Sequence, residues 1–283
     1  MTRPTVIAAL LVGATILAGA VGLAASPDEA STAATTPKRV VSVNLCADQL
    51  IVELADRSQI AGLTSNARDR DMSAVAERVT GLPLLRNSAE QLVVIQPDLV
   101  IGMPATGIAA TGPLRDGQRR LLDLQIPTDY AQIVRSIHTV ANALGHPARG
   151  EAVIDRMSAD LARIGAPGRG RVGAYYQRRG YLTGSDTLVD DLMKRVGLVN
   201  LATKLGKPPL AQVSLEEIVA ARPDFLIIES DADQVVDQGT EMLRHPALGD
   251  IPRIIIPQAW TVCGDPSYVE AAKSMAAQLA KHP

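Results

Sequence analysis

The chain has 283 residues, and 47% of them are hydrophobic, so most of it can form hydrophobic cores and general disorder is excluded. Its 28 basic and 30 acidic residues give a net charge of -2, which provides no electrostatic attraction to nucleic acid. One Phe, one Trp and five Tyr are too few for an aromatic platform that stacks on bases or sugars, and two Cys are too few for a disulfide scaffold.

The N-terminus predicts export. Residues 4–27 follow Arg3 without a charge and contain an apolar stretch that ends in small residues, which is typical of a secretory signal peptide. An uncleaved anchor helix is the alternative, because about 20 apolar residues can span a bilayer. We interpret residues 1–25 as a cleaved signal peptide and residues 26–38 as a disordered lead-in. The first cysteine, Cys46, lies far beyond this stretch, so we expect a periplasmic protein without a lipid anchor.

The next part of the chain, residues 39–146, predicts an α/β lobe. Continuous apolar runs indicate buried strands at 39–43, 60–64, 98–103 and 126–130. Helices are predicted at 47–55, from Ser88 onward and around 114–124. Buried strands that alternate with helices favour a mostly parallel sheet covered on both faces.

A helical segment and a second lobe follow. Residues 131–144 are amphipathic, and a helix that opens at Pro147 is predicted to connect the lobes over residues 147–166. The second lobe, residues 167–283, has predicted strands at 171–176, 224–229 and 253–257. The predicted fold class is therefore α/β, with two similar doubly wound lobes joined by a single long α-helix.

An internal repeat supports two similar lobes. Residues 88–101 and 214–227 are identical at six of 14 positions at an offset of 126. Each copy begins with a serine that predicts a helix cap, and each has a glutamate one turn in, Glu90 and Glu216. A carboxylate there suits the helix macrodipole, so capping alone explains both acids. A shared ancestor or a symmetric partner would explain why the acid recurs in both copies.

Ligands of parallel α/β lobes bind at the carboxyl ends of strands. The candidate ligand-binding residues are the polar, sulfur-bearing and aromatic residues near those ends, namely Asn44, Cys46, Asn66, Arg68, Met103, Tyr176, Tyr181, Trp260, Cys263 and Asp265. The alternative is a purely structural role, because loop residues are commonly polar and a Tyr or Trp can simply cover a hydrophobic core. Neighbours on a strand point to opposite faces, so only one of Tyr175 and Tyr176 can face the ligand.

Common enzyme motifs are absent from the sequence. It contains no GxxxxGK, GxSxG, HExxH or CxxC pattern, and its four His are far apart, so we predict no catalytic residue and no metal site. One enzymatic alternative is an exported thiol hydrolase, because Cys46 is predicted at a helix start, where a thiol pKa falls. Cys46 and Cys263 are expected to face one cleft, either as a disulfide or as free thiols.

Three segments carry a family resemblance: RVVSVNLCADQLIVELAD, SAEQLVVIQPDLVIG and VSLEEIVAARPDFLIIE. Together with the helical connection they resemble periplasmic substrate-binding proteins of ABC importers, in the subgroup that takes up vitamin B12, ferric siderophores and haem through a helical-backbone receptor. The resemblance covers roughly residues 38–281. It implies a monomeric carrier with little lobe closure, no enzymatic activity and no resident cofactor. It also implies that Glu90 and Glu216 contact the two subunits of a permease dimer in the inner membrane.

The sequence leaves three ligand classes open: a ferric siderophore, a cobalamin-type corrinoid and haem. Leu84, Met103 and Leu210 stand where B12-binding members have cleft aromatics, and Asn66 stands where they have a tyrosine. Arginines such as Arg68 are suited to a chelate with carboxylate or catecholate oxygens. A sensor or scaffold that keeps this fold without a permease is a further alternative to the carrier.

Overall fold

A computed structural model describes residues 36–86, 88–104, 109–114, 120–234 and 237–282. The predicted signal peptide and most of the predicted lead-in lie outside these ranges. Within them, no helix combines the length and the apolar character that crossing a membrane requires.

The first half of the chain forms one five-stranded sheet. Its strands are β1 (Val40–Ser42), β2 (Ile60–Thr64), β3 (Leu84–Leu85), β4 (Leu99–Gly102) and β5 (Arg120–Asp123). The order is β3-β2-β1-β4-β5, and every neighbouring pair is parallel. The helices of this half are α1 (Leu45–Leu54), α2 (Ala89–Ile95) and α3 (Tyr130–Leu144). The parallel sheet and its helices confirm the predicted α/β class for this half.

The helix α4 (Pro147–Ala162) lies within the predicted connecting segment, between the two sheets in chain order. It packs against α3. Gly150 permits the close approach of the two helices, since a Cβ at this position would lie 2.6 Å from the Cβ of Ala141. A larger residue at position 150 would push α4 away from α3.

The second half forms a four-stranded parallel sheet and a separate antiparallel pair. The strands are β6 (Val172–Tyr175), β7 (Tyr181–Thr183), β8 (Val199–Asn200), β9 (Leu210–Gln212), β10 (Phe225–Glu229) and β11 (Arg253–Ile256). The parallel order is β11-β10-β6-β8, and β7 pairs with β9. The helices are α5 (Leu188–Arg195), α6 (Leu201–Lys204), α7 (Leu215–Ala221), α8 (Ser230–Gln234) and α9 (Ser267–Leu279).

The sequence repeat is a structural repeat. The hydroxyls of Ser88 and Ser214 accept hydrogen bonds from backbone N–H groups three residues on, at the starts of α2 and α7. Both helices end at a residue in the left-handed region, Gln96 with φ 49° and Arg222 with φ 47°. The same cap, helix length and stop therefore place β4 and β10 identically after their helices.

The aspartate of each repeated Pro-Asp pair forms a hydrogen bond to the backbone at the start of another strand of the same sheet. The Asp98 carboxylate accepts a hydrogen bond from the backbone N–H of Arg39, just before β1. The Asp224 carboxylate accepts one from the backbone N–H of Val172, at the start of β6. These bonds connect the repeated unit to the strand that opens each half of the chain.

The predictions near the end of the first half are wrong. Residues 120–123 form strand β5 rather than part of a helix, and the expected strand at 126–130 is absent because α3 begins at Tyr130. A short apolar run does not distinguish a strand from a helix by periodicity. The start of α3 is fixed instead by Asp129, whose side chain accepts a hydrogen bond from the N–H of Gln132 at 2.7 Å.

One hydrophobic core connects the two sheets. It contains Leu50 of α1, Ile101 of β4, Met157 of α4, Phe225 of β10 and Met275 of α9 within a single cluster of buried residues. Smaller clusters fill the outer side of each sheet. Because close-packed side chains continue from one sheet to the other through α4 and α9, we expect the two halves to move little relative to each other.

Candidate ligand-binding site

A pocket of about 210 Å³ lies where residues that follow strands of both sheets meet. We call it the cleft pocket. The first half of the chain contributes Cys46, Met103, Ile126, Pro127 and Thr128. The second half contributes Asp186, Thr187, Leu188, Val189, Thr261, Val262, Cys263 and Gly264. The structure thus brings Cys46, Met103 and Cys263 together, as expected for residues at strand ends.

Cys46 and Cys263 form a disulfide across this pocket. Their Cα atoms are 5.3 Å apart, and the bond joins the beginning of α1 to the segment after β11. Of the two states left open by the sequence, the structure has the disulfide. A hydrolase that uses the Cys46 thiolate needs a free thiol, so this alternative is wrong for the bridged protein.

The wall of the cleft pocket is largely apolar and carries little charge. Met103, Ile126 and Val262 supply apolar surface, and the side chain of Ile126 is 73% exposed. Threonine hydroxyls supply most of the polar groups, and Thr187 also caps α5 by accepting a hydrogen bond from the N–H of Asp190. Among the described residues that line the pocket, Asp186 is the one with a charged side chain.

Asn44 supports the cleft pocket from behind its wall. Its Oδ1 accepts a hydrogen bond from the N–H of Ala47 and caps α1, while its Nδ2 donates to the carbonyl of Met103 at 3.3 Å. Asn44 therefore positions Met103 relative to α1. Asn66 and Arg68 lie on an exposed turn and do not line the pocket.

The tyrosine pair at the end of β6, Tyr175 and Tyr176, is oriented opposite to the prediction. Tyr176 is fully buried in the core on the outer side of its sheet, so its assignment as a ligand residue is wrong. Tyr175 faces the other way, and its hydroxyl lies 3.1 Å from Oγ1 of Thr261, which lines the cleft pocket. Strand alternation predicts that the two differ, but not which of them faces the site. Tyr181 is partly exposed on β7 and does not line the cleft pocket.

Trp260 and Asp265 line a different pocket of about 220 Å³, between α1, α4 and the start of α9. We call it the α9 pocket. The residues between them, 261–264, line the cleft pocket, so this one segment borders both pockets. Of the predicted ligand residues, Cys46, Met103 and Cys263 therefore line the cleft pocket, whereas Trp260 and Asp265 line the α9 pocket.

Two buried carboxyl groups have raised pKa values. Burial raises the pKa of Asp48 to about 6, although hydrogen bonds from Thr64 oppose the shift. Burial likewise raises the pKa of Asp265 to about 6, against hydrogen bonds from Ser267. Each group binds its proton more tightly in the folded protein than in the unfolded chain, where an aspartate pKa is about 3.9.

We therefore expect the protein to become more stable as the pH falls from 7.5 to 5. The folded state holds more protons than the unfolded state between about pH 4 and 6, so the free energy of unfolding decreases as the pH rises through this range. Each group contributes on the order of 1–3 kcal/mol to this decrease in the free energy of unfolding. Melting temperatures measured across this range should fall with rising pH, and Asp265→Asn should flatten the slope. An unchanged slope in that variant would exclude Asp265 as a source.

The two repeated glutamates lie at the exposed starts of α2 and α7. For both Glu90 and Glu216, the residue's own backbone N–H and the capping serine hydroxyl lower the carboxyl pKa. Neither carboxylate forms an ion pair with another described residue. Three residues further along each helix lies an exposed valine, Val93 or Val219, which the sequence pattern did not single out.

Comparisons with known proteins agree with this architecture. A model described as Periplasmic binding protein matches residues 40–253. A cobalamin-binding protein of Halobacterium salinarum is 25% identical over 218 residues, which cover 74% of this chain and 59% of the relative. The chain thus spans about three fifths of the length of the curated relatives it matches.

Solved structures share the fold. The periplasmic haem-binding protein of Roseiflexus sp. RS-1, in its apo form, has a TM-score of 0.68 and 24% identity, over 86% of this chain and 98% of that one. The periplasmic vitamin B12-binding protein of Vibrio cholerae has a TM-score of 0.63 and 14% identity, over 88% and 99%. With the family match across most of its length, the chain belongs to the periplasmic binding protein family.

Proposed function

We propose that this protein captures a metal chelate in the cleft pocket and delivers it to the permease dimer of an ABC importer, after export to the periplasm. The observation that carries the proposal is the cleft pocket itself. Residues after strands of both sheets converge on it, and its wall exposes apolar side chains such as Ile126 and Val262. Exposed apolar surface in a concave site is typical of a small-molecule binding pocket.

The pocket favours a chelate whose metal is already fully coordinated. Protein ligands of haem iron are usually His, Tyr, Met or a Cys thiolate. No His or Tyr belongs to the described lining, both cysteines are bridged, and Met103 is the single thioether. The described ranges also contain no cluster of three or more His, Cys, Asp or Glu that could hold a metal. A corrinoid or siderophore complex requires no ligand from the protein.

The charge of the pocket favours a neutral or cationic chelate. Asp186 would repel an anionic ferric complex, and no Lys or Arg of the described residues lines the pocket. Arg178, which lies in the second lobe, forms an ion pair with Asp237. A cobalamin-type corrinoid therefore fits better than a catecholate siderophore, and the curated relative from Halobacterium salinarum, described as a cobalamin-binding protein, supports the same choice.

The volume of the pocket indicates how such a chelate is held. About 210 Å³ is less than the roughly 300–1,000 Å³ of pockets that enclose drug-sized ligands. We infer that only an edge of the chelate enters, and that Ile126 and Val262 contact the part that stays outside.

Ile126→Arg is expected to weaken corrinoid binding at least about tenfold, because a charged side chain would occupy the apolar mouth of the pocket. The matched control is Val94→Arg, which places the same charge on an 83% exposed valine of α2, outside the pocket. Calorimetric titrations with cobalamin, cobinamide, haemin and ferric siderophores would measure the change. Equal affinities of the two variants would contradict binding at the cleft pocket, and preferential binding of an anionic siderophore would contradict the corrinoid.

A further inference from the structure

Asp186 is the exposed polar side chain of the described cleft-pocket lining, whereas the three threonines of that lining are half-buried. It lies between β7 and α5 with φ 59°, in the left-handed region, which Asp and Asn adopt more readily than most other residues. Its carboxylate forms no ion pair with another described residue, and Lys194 of α5 pairs with Asp190 instead. Because an ionised carboxylate can only accept hydrogen bonds, Asp186 offers the ligand a negatively charged acceptor.

Two of the threonine hydroxyls in this wall direct their single proton away from the pocket. Oγ1 of Thr187 donates to the carbonyl of Gly184 at 2.8 Å. Oγ1 of Thr261 donates to the carbonyl of Gln258 at 3.2 Å and also lies 3.1 Å from the hydroxyl of Tyr175. None of these partners lines the pocket, so the side of each hydroxyl that remains for a ligand is an acceptor.

Hydrogen-bond donors are available at the same pocket. Thr128 accepts a hydrogen bond from Nε2 of Gln132 at 2.8 Å, so its own proton remains for a ligand. Helices α1 and α5 also begin at the pocket, and the first turn of a helix carries backbone N–H groups without intrahelical partners. A ligand group that matches this wall must therefore both donate and accept. An ionised carboxylate has no proton to donate and an ammonium has no lone pair, whereas a primary carboxamide has both functions.

We propose, on the basis of the corrinoid-binding function proposed above, that the cleft pocket recognises primary carboxamide groups at the edge of the corrinoid. The amide N–H groups donate to Asp186 and Thr261, and the amide carbonyl accepts from Thr128 or from backbone N–H groups. A corrin ring carries such carboxamides around its periphery. Haem carries carboxylates instead, and catecholate siderophores carry anionic oxygens, neither of which can donate. Asp186 and Thr261 are thus the residues that determine specificity.

A series of corrinoids that differ in one group tests this recognition. Dicyanocobinamide has intact carboxamides and a metal that needs no protein ligand, and hydrolysis of one carboxamide at a time yields its monocarboxylates. In calorimetric titrations we expect at least one monocarboxylate to bind at least about tenfold more weakly than the parent, because its carboxylate lacks the amide donors and lies beside Asp186. Equal affinities of the parent and every monocarboxylate would overturn the carboxamide assignment. Absence of binding by the parent would instead overturn the corrinoid function, and the assignment with it.

Two substitutions assign the preference to side chains. Asp186→Asn keeps the size and the left-handed backbone but replaces an acceptor oxygen with a donor, so the preference for the parent over the weaker monocarboxylate should shrink at least about fivefold. The matched control is Asp71→Asn, at an exposed acid outside the pocket, which should leave the preference unchanged.

Thr261→Val removes an acceptor without a change of charge, so it separates hydrogen-bond direction from charge repulsion. It should weaken binding of the parent several-fold and leave binding of the weaker monocarboxylate nearly unchanged. A preference equal to that of the wild type in Asp186→Asn or in Thr261→Val would overturn the role of that residue. If a variant does not fold, the corrinoid series on the wild-type protein still decides.

Discussion

Replacing Cys46 and Cys263 together with serine should lower the free energy of unfolding by about 3–5 kcal/mol. The disulfide closes a loop with a sequence separation of 217, so it removes much conformational freedom from the unfolded chain. It also joins the two walls of the cleft pocket directly. Urea unfolding of the wild type and of the double variant, both without reductant, would measure the difference.

The reduced wild-type protein is the matched control, because it lacks the bond but keeps both sulfur atoms. It should unfold at nearly the same urea concentration as the double serine variant. Mass spectrometry of alkylated, unreduced protein should detect no free thiol. Equal stability of the variant and the oxidised wild type, together with two alkylated cysteines, would show that the bridge does not form in solution.

The repeated helix–strand unit is the part of the fold that the sequence predicts best. Its signals are local: Ser88 and Ser214 cap the helices, and a Pro-Asp pair precedes each strand. These interactions span only a few residues, so they can be read without knowing the tertiary structure. The repeat at an offset of 126 then extends the same interpretation from one half of the chain to the other.

Elements that depend on tertiary contacts are not predictable in this way. Strands β7 and β9 have three residues each, too few to show a period, and they are recognisable only from their pairing in the folded chain. Because residues 126–130 were predicted to be a strand, Ile126 was not identified as a candidate ligand residue. Its exposed side chain lies at the mouth of the cleft pocket.

The candidate site is predictable only in part, for the same reason. Cys46, Met103 and Cys263 follow strands whose ends meet, so the strand-end rule finds them. Asp186 and Thr187 enter the pocket from the beginning of α5, and their position depends on how that helix packs. Trp260 and Asp265 flank residues that line the cleft pocket but line the α9 pocket themselves, a division that sequence order does not reveal.

The second large effect that we predict concerns transport. We propose that Glu90 and Glu216 are the residues that dock on the permease, one on each subunit. Each is exposed at an equivalent helix start, and each has an exposed valine three residues further on, so the chain presents two similar patches. The lowered pKa of both carboxyl groups keeps them ionised, and neither forms an ion pair with another described residue. Two unpaired carboxylates beside apolar side chains suit a partner with two equivalent basic sites.

Replacing both Glu90 and Glu216 with Arg should therefore reduce uptake to below about one hundredth of the wild-type rate, since each contact becomes repulsive. Ligand affinity and fold should be unchanged, because both acids are exposed and neither lines the cleft pocket or the α9 pocket. The matched control is Asp71→Arg with Asp250→Arg, which makes the same charge change at exposed acids outside α2 and α7. Uptake, calorimetric affinity and melting temperature would be measured on both double variants. Normal uptake with a lowered melting temperature in the glutamate variant would mean that the two acids act only as favourable charges at the starts of their helices.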